Sequence, residues 1–433
     1  MDLFVNRATE LELIDDSFST LLDRKRLLRT PLIEVSGVGG IGKTSLLKQV
    51  EQRCHTIDIQ YIWVDVSQNP SNIERAIISQ AKKYTQEEAA LLERSPVQAT
   101  KLLLQQGPVV MLFDSVEKAN ADQLNMIETL LRDLIDDEQL FVVLASKKIL
   151  AFQHERSVAR KLTSLALKPL DREHCEFYLE QQEHLIEPEV RNIIFDWTRG
   201  YPLAMHVMVE AVHSGLDPRN EEGQKALLSL LTEQVINQEV LANVKPTERA
   251  RYFSALQLLS VPRRFNLVLM QDLIENFAPE LKKASSLAYF GLPKEINEAT
   301  DVLNWSMLHA GFSVDGPIRH IFLLLLKMEQ PSRYFAIHDF LIQANLRLAM
   351  EVPSGSDRAR YLRESLYHIA SNTSSALLAE LLDQALQITL QEPPDTFLQF
   401  YEEFLQDEEL KEALGTHLTA TQSMLDERKD QHQ

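Results

Sequence analysis

The sequence predicts an α/β domain on a parallel sheet, followed by a chain that is helical almost throughout. Two observations predict it. Residues 109–113 and 140–145 are apolar at every position, as strands are when helices cover both faces of their sheet. Such runs alternate with helical periodicity up to about Asp171, the arrangement of βαβ units, and the strand signal then largely stops.

In order, residues 32–36 read as a strand, 43–53 as a helix, 60–66 as a second strand and 72–84 as a helix, with a further helix ending near Gln106. A buried strand over 108–113, a helix over 121–135 and a buried strand over 140–145 follow, and 162–167 supplies a candidate fifth strand. Helices are then expected over 173–182, 187–197, 203–213 and 222–234. A polar connection at 243–247 leads into a third region, where helices precede 305–312, a turn at Asp315-Gly316 and an apolar run from Ile318. The last stretch reads as helical and acidic. These shifts predict domains at 1–170, 171–238, 239–350 and 351–433.

Among 433 residues, 44 Lys and Arg stand against 63 Asp and Glu, a net charge of −19. Such a polyanion is a poor partner for nucleic acid or an anionic membrane. Hydrophobic residues at 45% and charged residues at 25% exclude disordered, collagenous and coiled-coil classes. Cys54 and Cys175 are too few for a disulfide framework, which fits a reducing compartment. The start, Met1-Asp2-Leu3-Phe4, carries an acid where a signal peptide carries bases, and no apolar run nears the roughly 18 residues of a membrane span. A cytoplasmic protein is expected.

Glycine is scarce, with 13 in the chain, yet Gly37, Gly39, Gly40 and Gly42 fall within six residues. Glycine concentrates where a backbone turns tightly or approaches a ligand. The segment Gly37-Val38-Gly39-Gly40-Ile41-Gly42-Lys43-Thr44-Ser45, between a predicted strand and a predicted helix, satisfies the P-loop pattern. Its backbone N–H groups would cradle phosphates at a helix N-terminus, Lys43 would reach the β- and γ-phosphates, and Thr44 would ligate Mg²⁺. Asp114, closing the 109–113 strand, is the candidate second magnesium contact. Glu117 either orients the attacking water or caps the next helix. Lys147, after the 140–145 strand, either senses a γ-phosphate or is a solvated loop lysine. The basic pairs Arg263-Arg264 and Lys282-Lys283 read as solvated faces.

The combination resembles the STAND class of P-loop NTPases, close to the NB-ARC type of apoptotic and plant immune switches and many bacterial regulators. Phe4-Val5-Asn6-Arg7-Ala8-Thr9-Glu10-Leu11 is similar to that family's opening segment, whose arginine lies near the nucleotide, although Asn6 replaces the usual Gly. Asp114-Ser115-Val116-Glu117 resembles its second motif, with Ser115 where many members have Asp, and Lys147 stands where an arginine sensor is common. Gly200-Tyr201-Pro202-Leu203-Ala204 resembles the motif whose proline packs on adenine. Ile337-His338-Asp339 resembles the winged-helix motif whose histidine contacts the β-phosphate of ADP. Taken without the family, the last two are a proline-started helix and a helix N-cap region.

The resemblance implies a P-loop domain, a helical domain, a winged-helix domain and a helical C-terminal region, without the effector domain or long repeat sensor common in the family. It implies an ATP/ADP switch that binds ATP with Mg²⁺, hydrolyses it slowly and controls protein partners or self-association. Arg7, Gly37, Gly39, Gly40, Ile41, Gly42, Lys43, Thr44, Ser45, Pro202 and His338 would hold the nucleotide. Thr44 and Asp114 would hold the metal, and Lys43, Asp114 and Glu117 would serve catalysis. Acid should tighten the His338 contact, since an imidazolium is the better phosphate partner. The alternatives are an AAA+-type ATPase that loads onto DNA through its winged helix and a scaffold that binds nucleotide without hydrolysis.

Overall fold

Five short apolar segments pair side by side in the computed structural model, which describes residues 5, 7–23, 28–68, 73–85, 95–150, 152, 156–182, 184–306, 311–372 and 378–431. They are β1 (Leu32–Ser36), β2 (Gln60–Asp65), β3 (Val109–Asp114), β4 (Leu140–Ser146) and β5 (Leu162–Ala166). All neighbours run parallel, in the order β2-β3-β4-β1-β5. Every residue of the three inner strands is buried, whereas β2 and β5 are only partly covered, as edge strands should be.

Helices cover both faces. On one, Ile77 of α3 (Ile73–Ala81), Leu103 of α4 (Pro96–Gln106) and Ile127 of α5 (Ala121–Leu134) join Ile62, Met111 and Val142 of the sheet. On the other, Phe18 of α1 (Ala8–Leu22) meets Phe141 edge to face at 5.8 Å. A capping box starts α5: the Asn120 side chain accepts the Gln123 N–H and the Gln123 side chain accepts the Asn120 N–H. Glu34 is an acid inside a central strand, and its cost is offset locally. Its carboxylate accepts the Leu150 N–H and the Ser164 hydroxyl, while burial pushes its pKa up.

Met1–Val240 is one of two compact units. Beyond the sheet it contains α6 (Arg156–Lys161), α7 (Arg172–Glu180), α8 (Pro188–Thr198), α9 (Pro202–His213) and α10 (Glu221–Leu231). The helix expected over 222–234 departs from that expectation: α10 widens into a π-helical segment, Thr232–Val240.

The second unit is Leu241–Gln433. Helices α11 (Arg249–Leu259), α12 (Leu267–Phe277) and α13 (Leu292–Thr300) precede an antiparallel pair, β6 (Leu303–Ser306) and β7 (Gly311–Val314). Phe265 adds a bridge to Phe312 through mutual 2.8 Å hydrogen bonds. The hairpin connection, 307–310, lies outside the described residues. At Asp315-Gly316, expected as a turn, Asp315 is the N-cap of α14 (Gly316–Glu329). Then come α15 (Pro331–Glu351), α16 (Ser356–Ser371), α17 (Leu378–Leu390), α18 (Pro394–Leu405), α19 (Glu408–Leu414) and α20 (Leu418–Asp430). The C-terminal helices share a core of Leu366, Leu386, Phe397, Phe400 and Phe404 with Ile342 and Ala349 of α15.

Arg263 was expected on a solvated face, and the structure corrects this. It is 10% exposed, pairs with Glu364 and Asp407 at 2.9 and 2.6 Å, and lies over the Tyr367 ring at 4.4 Å. Among the described residues no helix is long and apolar enough to cross a membrane.

Candidate functional site

Parallel strands all end on one sheet edge, so the segment after β1, Asp114 closing β3, and Ser146 closing β4 with Lys147 after it converge there. The Gly37 N–H donates to the Ser146 carbonyl at 3.3 Å, tying the loop to β4. Gly42 is the N-cap of α2 (Lys43–Thr56) and offers no side-chain cap, which leaves the first N–H groups of that helix to an anion. Gly40 adopts φ +69°, and a β-carbon there would stand 2.5 Å from Leu203 Cβ. Both conformation and space therefore require glycine.

Lys43 is nearly buried, with Nζ donating to the Gly37 and Val38 carbonyls at 2.7 and 3.0 Å. Burial lowers its pKa, and the nearby carboxylates Glu117, Glu239 and Asp114 pull the other way. The Thr44 hydroxyl bonds the Asp114 carboxylate, which also accepts the Ser115 N–H at 2.8 Å. Burial nevertheless pushes the Asp114 pKa up, so a cation beside it would relieve an unfavourable charge. This pair presents two hard oxygens. Among the described residues no group of three or more His, Cys, Asp or Glu could hold a metal. Two protein oxygens suit Mg²⁺, which takes its remaining ligands from phosphates and water.

Glu117 lies in the 3₁₀ turn Val116–Lys118, and its Oε2 accepts the Lys147 N–H at 3.2 Å. It secures the chain after β4, while Asn120 caps α5. Arg7, 6% exposed, donates to the Ile41 carbonyl at 3.0 Å and the Lys168 carbonyl at 2.9 Å, bracing the phosphate loop through its backbone. Phe4 and Asn6 of the same segment lie outside the described residues.

The Gly200-Tyr201-Pro202 turn is built by close approach. Arg199 ends α8 at φ +49°, Gly200 follows at φ +74°, and a β-carbon on Gly200 would stand 1.8 Å from the Leu170 carbonyl oxygen. Pro202 opens α9, where its missing N–H costs nothing. The fully buried Tyr201 then donates its hydroxyl to the Gly39 carbonyl at 2.5 Å. Pro202, Leu203 and His206 line one cavity of about 1040 Å³ with Gly40, Gly42, Lys43, Thr44 and Ser45, and Tyr178 and Gln181 line it as well.

Similarity to a known family covers the span from α1 to β5. Residues 14–167 match the NB-ARC domain. The first unit thus carries an NB-ARC-like domain with a P-loop. Arg7, Pro202 and His338 lie outside the matched residues. No curated protein matches the chain. Among solved structures, the chain is similar to Orc1 of Aeropyrum pernix in complex with DNA, at 14% identity over 76% of this chain and 94% of that one, with a TM-score of 0.41. AMPPCP-bound DnaA from Aquifex aeolicus matches at 17% identity over 68% and 96%, TM-score 0.38. A STAND protein with a tetratricopeptide repeat sensor from Pyrococcus horikoshii matches at 15% identity over 99% of this chain and 65% of that one, TM-score 0.33.

Relative to the sequence expectations, the NB-ARC-like loop, Thr44, Asp114 and Pro202 come together within the first unit. Tyr201 and Leu203, which flank Pro202 in its motif, also reach the loop, and so does Glu239, which no local pattern announced. His338 belongs to the second unit. It lies inside α15 rather than at a helix start, is fully buried, and has Nδ1 3.1 Å from Nδ1 of His368. Burial, aided by Arg319 and Lys327, lowers its pKa to about 3. In this buried arrangement an imidazolium at mildly acid pH is therefore disfavoured.

Proposed function

We propose that the chain is an ATP/ADP switch that takes ATP with Mg²⁺, hydrolyses it slowly and controls protein partners or self-association. The observation that carries this reading is the shared cavity: Lys43, Thr44 and Ser45 of the NB-ARC-like domain line the same space as Pro202 of α9. Nucleotide binding would exchange the Lys43 bonds to Gly37 and Val38 for phosphate oxygens. Thr44 and Asp114 would hold Mg²⁺, which neutralises phosphate charge when bound. Pro202 and α9 would face the base. Glu117 is engaged by the Lys147 N–H, a tether that suits slow turnover better than an efficient general base. The helix, bridge and hairpin order from α11 to β7 supports a winged helix within 239–350. In its buried pairing with His368, His338 is left out of the nucleotide ligands in this reading.

Thr44→Ala and Asp114→Asn should each reduce the Mg²⁺-dependent gain in ATP affinity. Losing a charge-assisted contact of about 1.5–3 kcal/mol corresponds to roughly tenfold or more. Calorimetric titration with ATP, in Mg²⁺ and in a chelator, measures the gain. Equal gains in both variants and the natural chain would remove these residues from the metal site.

A further inference from the structure

The π-helical segment Thr232–Val240 delivers one side chain to the phosphate loop. Glu239 Oε1 pairs with Lys147 Nζ at 2.5 Å, the two side chains being 30% and 17% exposed. The same oxygen lies 1.7 Å from where a β-carbon on Gly39 would stand. The carboxylate therefore rests against the loop backbone, in space that the missing side chain leaves open. Lys43, Lys147, Glu117 and Asp114 complete this charged group around the loop. π-Helical turns recur at functional sites because they redirect the side chains that follow, and this one ends at the last residue of the first unit.

A carboxylate held by a cation beside a phosphate loop stands where a terminal phosphoryl group would compete with it. A γ-phosphate reached by Lys43 would bring more negative charge next to Glu239, in a partly buried site where like charges repel strongly. ADP brings no such group. We propose that Glu239 is a nucleotide-specificity residue: docked on Lys147, it favours the diphosphate and must be expelled before the triphosphate binds fully. The inference rests on the reading that this loop takes ADP and ATP. It supplies what that switch needs, a contact that differs between the two nucleotides, and it places the contact on the segment leading into Leu241.

Titration calorimetry on the full chain with Mg²⁺-ADP and Mg²⁺-ATP tests it, using Glu239→Gln and, as a second variant, Glu239→Ala. Thermal melting verifies that both variants fold. Each should raise ATP affinity roughly tenfold or more, while ADP affinity stays within about threefold. An unchanged ratio of ATP to ADP affinity would overturn the inference, and so would an equal gain for both nucleotides, which would mark a general charge effect. If the natural chain and both variants bind neither nucleotide, the nucleotide reading itself falls, and this inference with it.

Discussion

Lys43→Ala should lose ATP and ADP binding by roughly a hundredfold or more, since the ammonium would contribute about two charge-assisted bonds of 1.5–3 kcal/mol each. The side chain is already aimed over the loop, held by two backbone carbonyls at 2.7 and 3.0 Å. Its burial lowers its pKa, so its charge is accommodated at a cost in the absence of phosphate. Alanine should consequently leave the unliganded fold intact, with a melting temperature close to that of the natural chain. Lys43→Arg should not restore full affinity, because a planar fork replaces a compact ammonium in a nearly buried position. Titration calorimetry with each nucleotide decides the matter, and unchanged affinity in Lys43→Ala would contradict the phosphate-loop assignment.

What was legible in the sequence follows the range of the interactions. The phosphate loop is local: four glycines, a lysine and a threonine within eight residues, between a strand and a helix. Asp114 was readable only because such a loop calls for a second magnesium contact, since an apolar run that ends in a carboxylate is a weak signal by itself. Other features depend on tertiary contacts. Tyr201 reaches the Gly39 carbonyl across 162 positions. Glu239 looks like any surface acid until the π-helical segment turns it onto the loop. His338 lies one helical turn from Tyr334, 4.4 Å away between ring centroids, but its other neighbour, His368 at 5.0 Å, reaches it only through packing.

Arg263→Met should destabilise the chain by about 3–5 kcal/mol, the usual cost of removing one partner from a buried ion pair. The guanidinium bonds both carboxylate oxygens of Asp407, at 2.6 and 2.8 Å, and the Glu364 carboxylate at 3.0 Å. Methionine fills similar space but leaves two nearly buried acids with one cation fewer, and Arg363 at 3.1 Å from Asp407 compensates only in part. Glu364 and Asp407 lie 101 and 144 positions from Arg263, so the sequence offered no reason to place that arginine inside. The control is Arg251→Met, whose pairing with Glu295 is about one-third exposed on both sides and should contribute less than about 1 kcal/mol. Urea unfolding of the full chain measures both, and equal midpoints for the two variants would mean that the Arg263 network is a passive feature of the second unit.

In the proposed switch, nucleotide identity selects between arrangements of the molecule. A nucleotide can do this only through contacts that differ between the two states. Small-angle scattering of the natural chain, saturated first with ADP and then with ATP and Mg²⁺ under conditions that prevent turnover, measures this selection. The two profiles should differ, with the ATP form more expanded or self-associated and Lys43→Ala unresponsive to either nucleotide. Superimposable profiles at verified saturation would contradict it.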